Sequence, residues 1–289
     1  TTILIAEAWR DQKRNIALGI LSIAFPVGIF STGVITYNFT DWRIGFLSGV
    51  FPLFLAIVGQ FFIKESEKWK QNQEIRPSAQ KAEKSIFQRA NAYDLLYGSI
   101  IYGAMLIGLW AVLSWLPTWI QTIVKDSDGQ QERGISMMLF AGGGLLGGFV
   151  SGWVSNLIGM KKATLICFAG TFVLSLTLFQ LNASLSIFSY IEIALIALFF
   201  GLSQGVLNAY IPALFPTPTR SAATGFCFNI GRIFTASAVF FVGWLVNFLG
   251  GYGNALTIFS FIFLLGFLVT MKVKEMRAEE GYLHFDLNK

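Results

Sequence analysis

The chain has 289 residues, 54% of them hydrophobic and only 13% charged; an ordinary soluble domain carries about 25% charged residues, so water is not the main solvent here. Its net charge of +5 comes from basic residues scattered over separate short segments, which argues against a nucleic-acid-binding arm or face. Cys167 and Cys227 both sit inside long apolar runs and read as small buried hydrophobes, not as half of a disulfide or a metal site.

From the N-terminus, Thr1 to Trp9 is apolar but too short to span a bilayer. It has no Met, basic leader or cleavage signal before it and reads as the tail of an interrupted helix, so the sequence is expected to start inside a longer protein. Stretches of about 20 apolar residues, each long enough for one membrane-spanning helix, then follow at 16–37, 44–63, 95–119, 134–158, 163–181, 186–211, 221–247 and 252–271. Short turns join them, except at 64–94, where seven Lys and Arg residues give the polarity of a solvated linker. The expectation is an all-α membrane protein with about eight complete spans.

Zigzag connections place alternate loops on opposite sides, and cytoplasmic loops hold the excess of Lys and Arg. One side collects Arg10, Lys13, Arg14, the linker, Lys161, Lys162, Arg220 and the C-terminal Lys272, Lys274, Arg277 and Lys289; the other has only Arg43, Lys125 and Arg133. The linker and C-terminus are therefore expected in the cytoplasm. An internal repeat is also visible. Arg14, Ala17 and Gly19 align with Arg220, Ala223 and Gly225, and the helix ending Lys64-Glu65 aligns with that ending Lys274-Glu275, at nearly the same offset. Extrapolated backwards, the repeat predicts roughly 110 residues and four helices ahead of Thr1, giving a parent of twelve spans in two six-helix bundles. Residues 1–64 would end the first bundle, 65–94 link, 95–273 form the second bundle and 274–289 a tail.

Local motifs over nearly the whole chain follow recognisable patterns. Gly152-Trp153-Val154-Ser155-Asn156-Leu157-Ile158-Gly159-Met160-Lys161-Lys162 resembles the G-x-x-x-D-x-x-G-R-K loop between the second and third helices of each half, with Asn156 and Met160 replacing Asp and Arg. Pro212 to Arg220, then Gly225, Asn229, Gly231 and Arg232, resemble the P-E-x-F-P-T-x-x-R turn and following helix of metabolite and sialate symporters, with Ala213 in place of the acid. Glu7 and Arg14 keep the equivalent pair in the first half, and Asp41-Trp42-Arg43, Phe46 and Glu65-Ser66 resemble the sixth helix. Together these motifs resemble those of the major facilitator superfamily, and the resemblance implies a major facilitator fold, a conformational latch involving Gly152, Asn156, Gly159, Lys161, Lys162, Glu7, Arg14 and Arg220, and alternating access about a midplane site. It implies a monomer in the bacterial inner membrane, without a cofactor, coupling a small solute to protons.

Arg232 is the most informative side chain, because a charge at mid-helix costs about 2.5–3.5 kcal/mol even on lenient insertion scales. It lies roughly 18 Å into its span, whereas Glu192 sits roughly 30 Å from the same side, so the two should not meet. Arg232 then needs Asn229, backbone carbonyls, an acid from elsewhere, or an anionic solute; a packing role stays open. Glu192 reads as a snorkelling interface residue or a gate. Ser99, Tyr102, Trp110 and Ser114 share approximately one helix face, and Ser203, Gln204 and Asn208 lie on another span. The resembled fold would place both helices at the central cavity, so Tyr102, Trp110, Gln204 and Asn208 join Arg232 and Asn229 as candidate solute contacts; interface anchoring or packing is the alternative for the aromatics. Gly142, Gly143, Gly144, Gly147, Gly148 and Gly152 form small-xxx-small spacings suited to close helix packing. They follow no strand and so do not suggest a phosphate cradle. His284 stands by itself in a polar tail, and no catalytic or metal-binding set is expected. The expected function is import of a small carboxylate or acidic sugar, with a drug or sugar carrier, or a non-transporting receptor or scaffold, as alternatives.

Overall fold

Six helices are long and apolar enough to cross a membrane among the described residues of the computed structural model: 17, 20–21, 23–39, 41–51, 53–54, 57–58, 87, 89–124, 129–182, 184–215 and 217–273. In chain order the helices are α1 (Ala24–Asn38), α2 (Trp42–Ser48), α3 (Arg89–Ile123), α4 (Gln130–Ile158), α5 (Met160–Leu181), α6 (Ile187–Ala213), α7 (Thr217–Leu249) and α8 (Tyr252–Lys272). Helices α3 to α8 correspond to the six apolar stretches from 95 onwards. The two earlier stretches, 16–37 and 44–63, overlap α1 and α2, and parts of each fall outside the described residues.

The junctions follow from local chemistry. Gly159 alone separates α4 from α5, with φ 86° and ψ 148°; an L side chain is strained there, which accounts for glycine at that position. Gly250 and Gly251 turn α7 into α8 with φ of 76° and 155°. Helix α6 starts with a capping box in which the Ser186 and Ser189 side chains reciprocally satisfy backbone N–H groups. At α2, Asp41 Oδ1 accepts from the Arg43 N–H at 3.0 Å, leaving one fewer unpaired donor in the first turn.

Helix α4 packs between α1 and α6, α3 against α7 and α8, and α5 against α6 and α8. With little hydrophobic force available between helices in lipid, close contact has to come from shape. Glycines provide it. A methyl group added at Gly143 would overlap the Ala194 carbonyl, one at Gly147 the Leu198 carbonyl, and one at Gly201 the Gly144 carbonyl. The same stripe turns its other edge to α1, where a methyl at Gly144 would come 3.2 Å from Pro26. At the far end of this contact, Gln130 Nε2 donates to the Thr36 carbonyl at 3.0 Å. Elsewhere aromatic rings fill glycine notches: Phe263 faces Gly108, Phe199 faces Gly170 and Phe168 faces Gly266.

Candidate solute site between α3 and α7

Helices α3 and α7 cross at Gly103 and Gly231, where a methyl added to Gly231 would stand 3.2 Å from the Gly103 Cα. Next to this crossing is Arg232, the sixteenth of the 33 residues of α7, about 22 Å along the helix at ~1.5 Å per residue. Its Nη1 donates to Asn229 Oδ1 at 3.4 Å. The amide nitrogen of Asn229 is already committed to the Gly225 carbonyl at 2.8 Å, which turns the amide oxygen towards the guanidinium. The Tyr102 ring on α3 reaches the same level of α7, its Cδ1 3.2 Å from a methyl added at Gly231. Asn229 is neutral, and no carboxylate among the described residues pairs with the arginine.

Beyond the crossing lies a cleft of about 680 Å³. Leu106, Trp110 and Trp115 of α3 form one wall; Arg232, Thr235, Ala236, Phe240 and Gly243 of α7 form the other. Trp110 is 39% exposed and its ring meets Phe25 of α1 with centroids 5.9 Å apart. Trp115 packs beside Tyr252 at 5.6 Å. The Thr235 hydroxyl is spent on its own helix, donating to the Gly231 carbonyl at 2.8 Å. What faces the space is therefore mainly aromatic and aliphatic carbon, with one guanidinium. Arginine carries five N–H donors in a planar fork, more than Asn229 occupies, and that fork matches a carboxylate.

Of the six solute-contact candidates, Trp110 and Arg232 lie in the cleft wall. Asn229 is exposed beside Arg232. Tyr102 is only 5% exposed and stacks on Phe228 with centroids 4.1 Å apart and planes 19° apart, so it stands behind the arginine rather than in the wall. Gln204 and Asn208 are half-buried on α6 and outside this wall, with Gln204 Nε2 buried and unpartnered. Trp115, Thr235, Phe240 and Gly243 were not singled out from the sequence. Stepping from Arg232 by three and four residues along α7 reaches Thr235, Ala236, Phe240 and Gly243, a helical-face signal available in the sequence.

The motif residues lie at helix ends. Lys161 Nζ donates to the Val273 carbonyl at 2.6 Å, tying the start of α5 to the end of α8. Arg220 Nε donates to the Phe215 carbonyl at 3.1 Å and closes the turn between α6 and α7. Gly152 is buried, whereas Asn156, Gly159 and Lys162 are exposed; Glu7 and Arg14 lie outside the described residues. At the opposite end, Glu192 accepts from Asn182 Nδ2 at 2.7 Å, and Asn182 in turn accepts from Ser189 Oγ at 2.8 Å.

Comparison with known proteins shows the family. The chain is 24% identical over 273 residues to a protein of Cupriavidus pinatubonensis named for 4-methylmuconolactone transport, covering 90% of this chain and 61% of that one. It is 25% identical over 258 residues to the cis,cis-muconate transport protein of Acinetobacter baylyi, covering 84% and 60%. Similarity to the sialic acid transporter NanX of Escherichia coli is 25% over 232 residues, covering 78% and 55%. The chain thus spans about three-fifths of the length of the curated relatives it matches. A family profile, that of the Major Facilitator Superfamily, matches residues 1–235, and with six apolar helices of spanning length among the described residues the chain is a multi-pass integral membrane protein belonging to the Major Facilitator Superfamily.

Proposed function

We propose that the chain provides the solute path of a secondary transporter that imports a small organic carboxylate, with Arg232 as the anion-recognising group. The observation that carries this is the arginine itself, a cation hydrogen-bonded to the neutral Asn229 in the wall of an otherwise largely apolar cleft. A buried or membrane-embedded charge is costly without compensation, and a bidentate carboxylate supplies it. Relatives named for muconate and sialic acid, both carboxylates, support the same class of solute. Trp110, Trp115 and Phe240 offer ring faces to the body of the solute, so the acid end binds Arg232 while the remainder packs against aromatic surface.

In this proposal residues 1–64 close an N-terminal six-helix bundle, 65–94 link it to the bundle of 95–273, and 274–289 form a tail, with linker and tail cytoplasmic. Rocking of the bundles about the site gives alternating access, and protons drive import. Purified protein in proteoliposomes tests the coupling. Uptake of labelled carboxylate should rise several-fold when the lumen is made alkaline relative to the outside; uptake indifferent to that gradient would refute proton symport.

A further inference from the structure

We propose that Arg133 is a docking residue, holding the carboxylate of the incoming solute at the end of the cleft farthest from the α3–α7 crossing before Arg232 takes it; this rests on the carboxylate reading of the cleft. Arg133 lies half-buried at the start of α4, and its Nη1 donates to Gln121 Oε1 of α3 at 3.0 Å. Gln121 follows Trp110 by eleven residues, which at about 100° per residue returns it to within about 20° of the same helix face. It stands about 16 Å further along α3. Two contacts show where that face looks. Trp110 meets Phe25 of α1, Gln121 meets Arg133 of α4, and α1 and α4 pack on each other. Arg133 therefore overhangs the side of α3 from which Trp110 lines the cleft. Trp115 comes 3.8 Å from a methyl added at Gly243 and closes the seam between α3 and α7 towards this end, so an arriving solute passes along the Trp110 face beneath Arg133.

The two arginines are held alike. Each bonds the oxygen of a side-chain amide, Asn229 for Arg232 and Gln121 for Arg133, and neither forms an ion pair with a carboxylate among the described residues. An amide orients a guanidinium without cancelling its charge. At Arg133 the Nε is also buried without an acceptor, leaving the fork with more donors than acceptors, a deficit that an anion fills. Glu132 is the next residue back in the chain, but successive positions on a helix project about 100° apart, so the Gln121 side belongs to the arginine.

The test is proteoliposome uptake of labelled cis,cis-muconate and benzoate by R133Q, R133K and Q121A at matched folded content. We expect R133Q to raise the KM about fivefold at low ionic strength with the maximal rate unchanged, and R133K to restore most of the affinity. The difference should shrink in about 1 M salt, where charges are screened within about 3 Å. Q121A breaks the bond between α3 and α4 but keeps the cation, so its KM should stay at the parental value. A parental KM for R133Q at low salt would overturn the proposal. So would a rise in KM that Q121A reproduces or that salt leaves untouched, since a mere brace between the helices gives that result. If R232Q transports both acids normally, it is the carboxylate assignment at Arg232 that fails, and the R133Q series still decides docking at the mouth; a parent protein that takes up neither acid overturns both.

Discussion

At the residue scale, charge placement marks out the candidate residues. Arg232 could be picked out from sequence because a cation inside a long apolar run has few inexpensive explanations. Tyr102 could not be placed so easily. Residues eight apart on a helix diverge by about 80° at 100° per residue, so Tyr102 and Trp110, which the sequence groups on approximately one face, separate into a ring buried against α7 and a ring open to the cleft. Lys161 makes a different point. Its bond to the Val273 carbonyl satisfies an acceptor at the end of α8 and sets positive charge at a helix C-terminus. Lys161→Met should lower stability by about 1 kcal/mol, seen as a lower melting temperature in detergent; no change would mean that the bond contributes nothing.

At the element scale, helix identity is written in apolar length and helix ends are not. The helix expected at 95–119 runs from Arg89 to Ile123, because hydropathy falls at Arg89, Asn91 and Asp94 before the hydrogen-bonded backbone stops. The glycine stripe was legible as a packing surface, but its partners were not, since small-xxx-small spacing does not say which helix approaches. It serves α6 through Gly143 and Gly147 and α1 through Gly144. Gly147→Leu would drive a side chain into the α6 backbone and should cost about 3 kcal/mol or more, reducing the yield of folded protein. Gly142→Ala is the control: nothing lies within 4 Å of its added methyl, and the higher helix propensity of Ala should leave the yield equal or better. Equal losses in both variants would contradict the packing assignment.

For the whole molecule, membrane embedding, the all-α class and the superfamily were all readable, because spans, basic-residue asymmetry and motifs are properties of the chain as a string. The cleft was not, because its wall is assembled from two helices whose crossing at Gly103 and Gly231 brings together residues more than a hundred positions apart. Trp and Phe are also so frequent in this chain that no single ring announces itself. In the proposed mechanism, transport depends on Arg232 binding the carboxylate of the solute. Counterflow uptake of labelled cis,cis-muconate and benzoate into proteoliposomes, compared for the parent, Arg232→Lys and Arg232→Gln proteins at matched folded content, tests this most directly. At least one acid should accumulate with the parent, at reduced affinity with Arg232→Lys because the fork is lost, and not at all with Arg232→Gln; full counterflow by Arg232→Gln with an unaltered KM would contradict it.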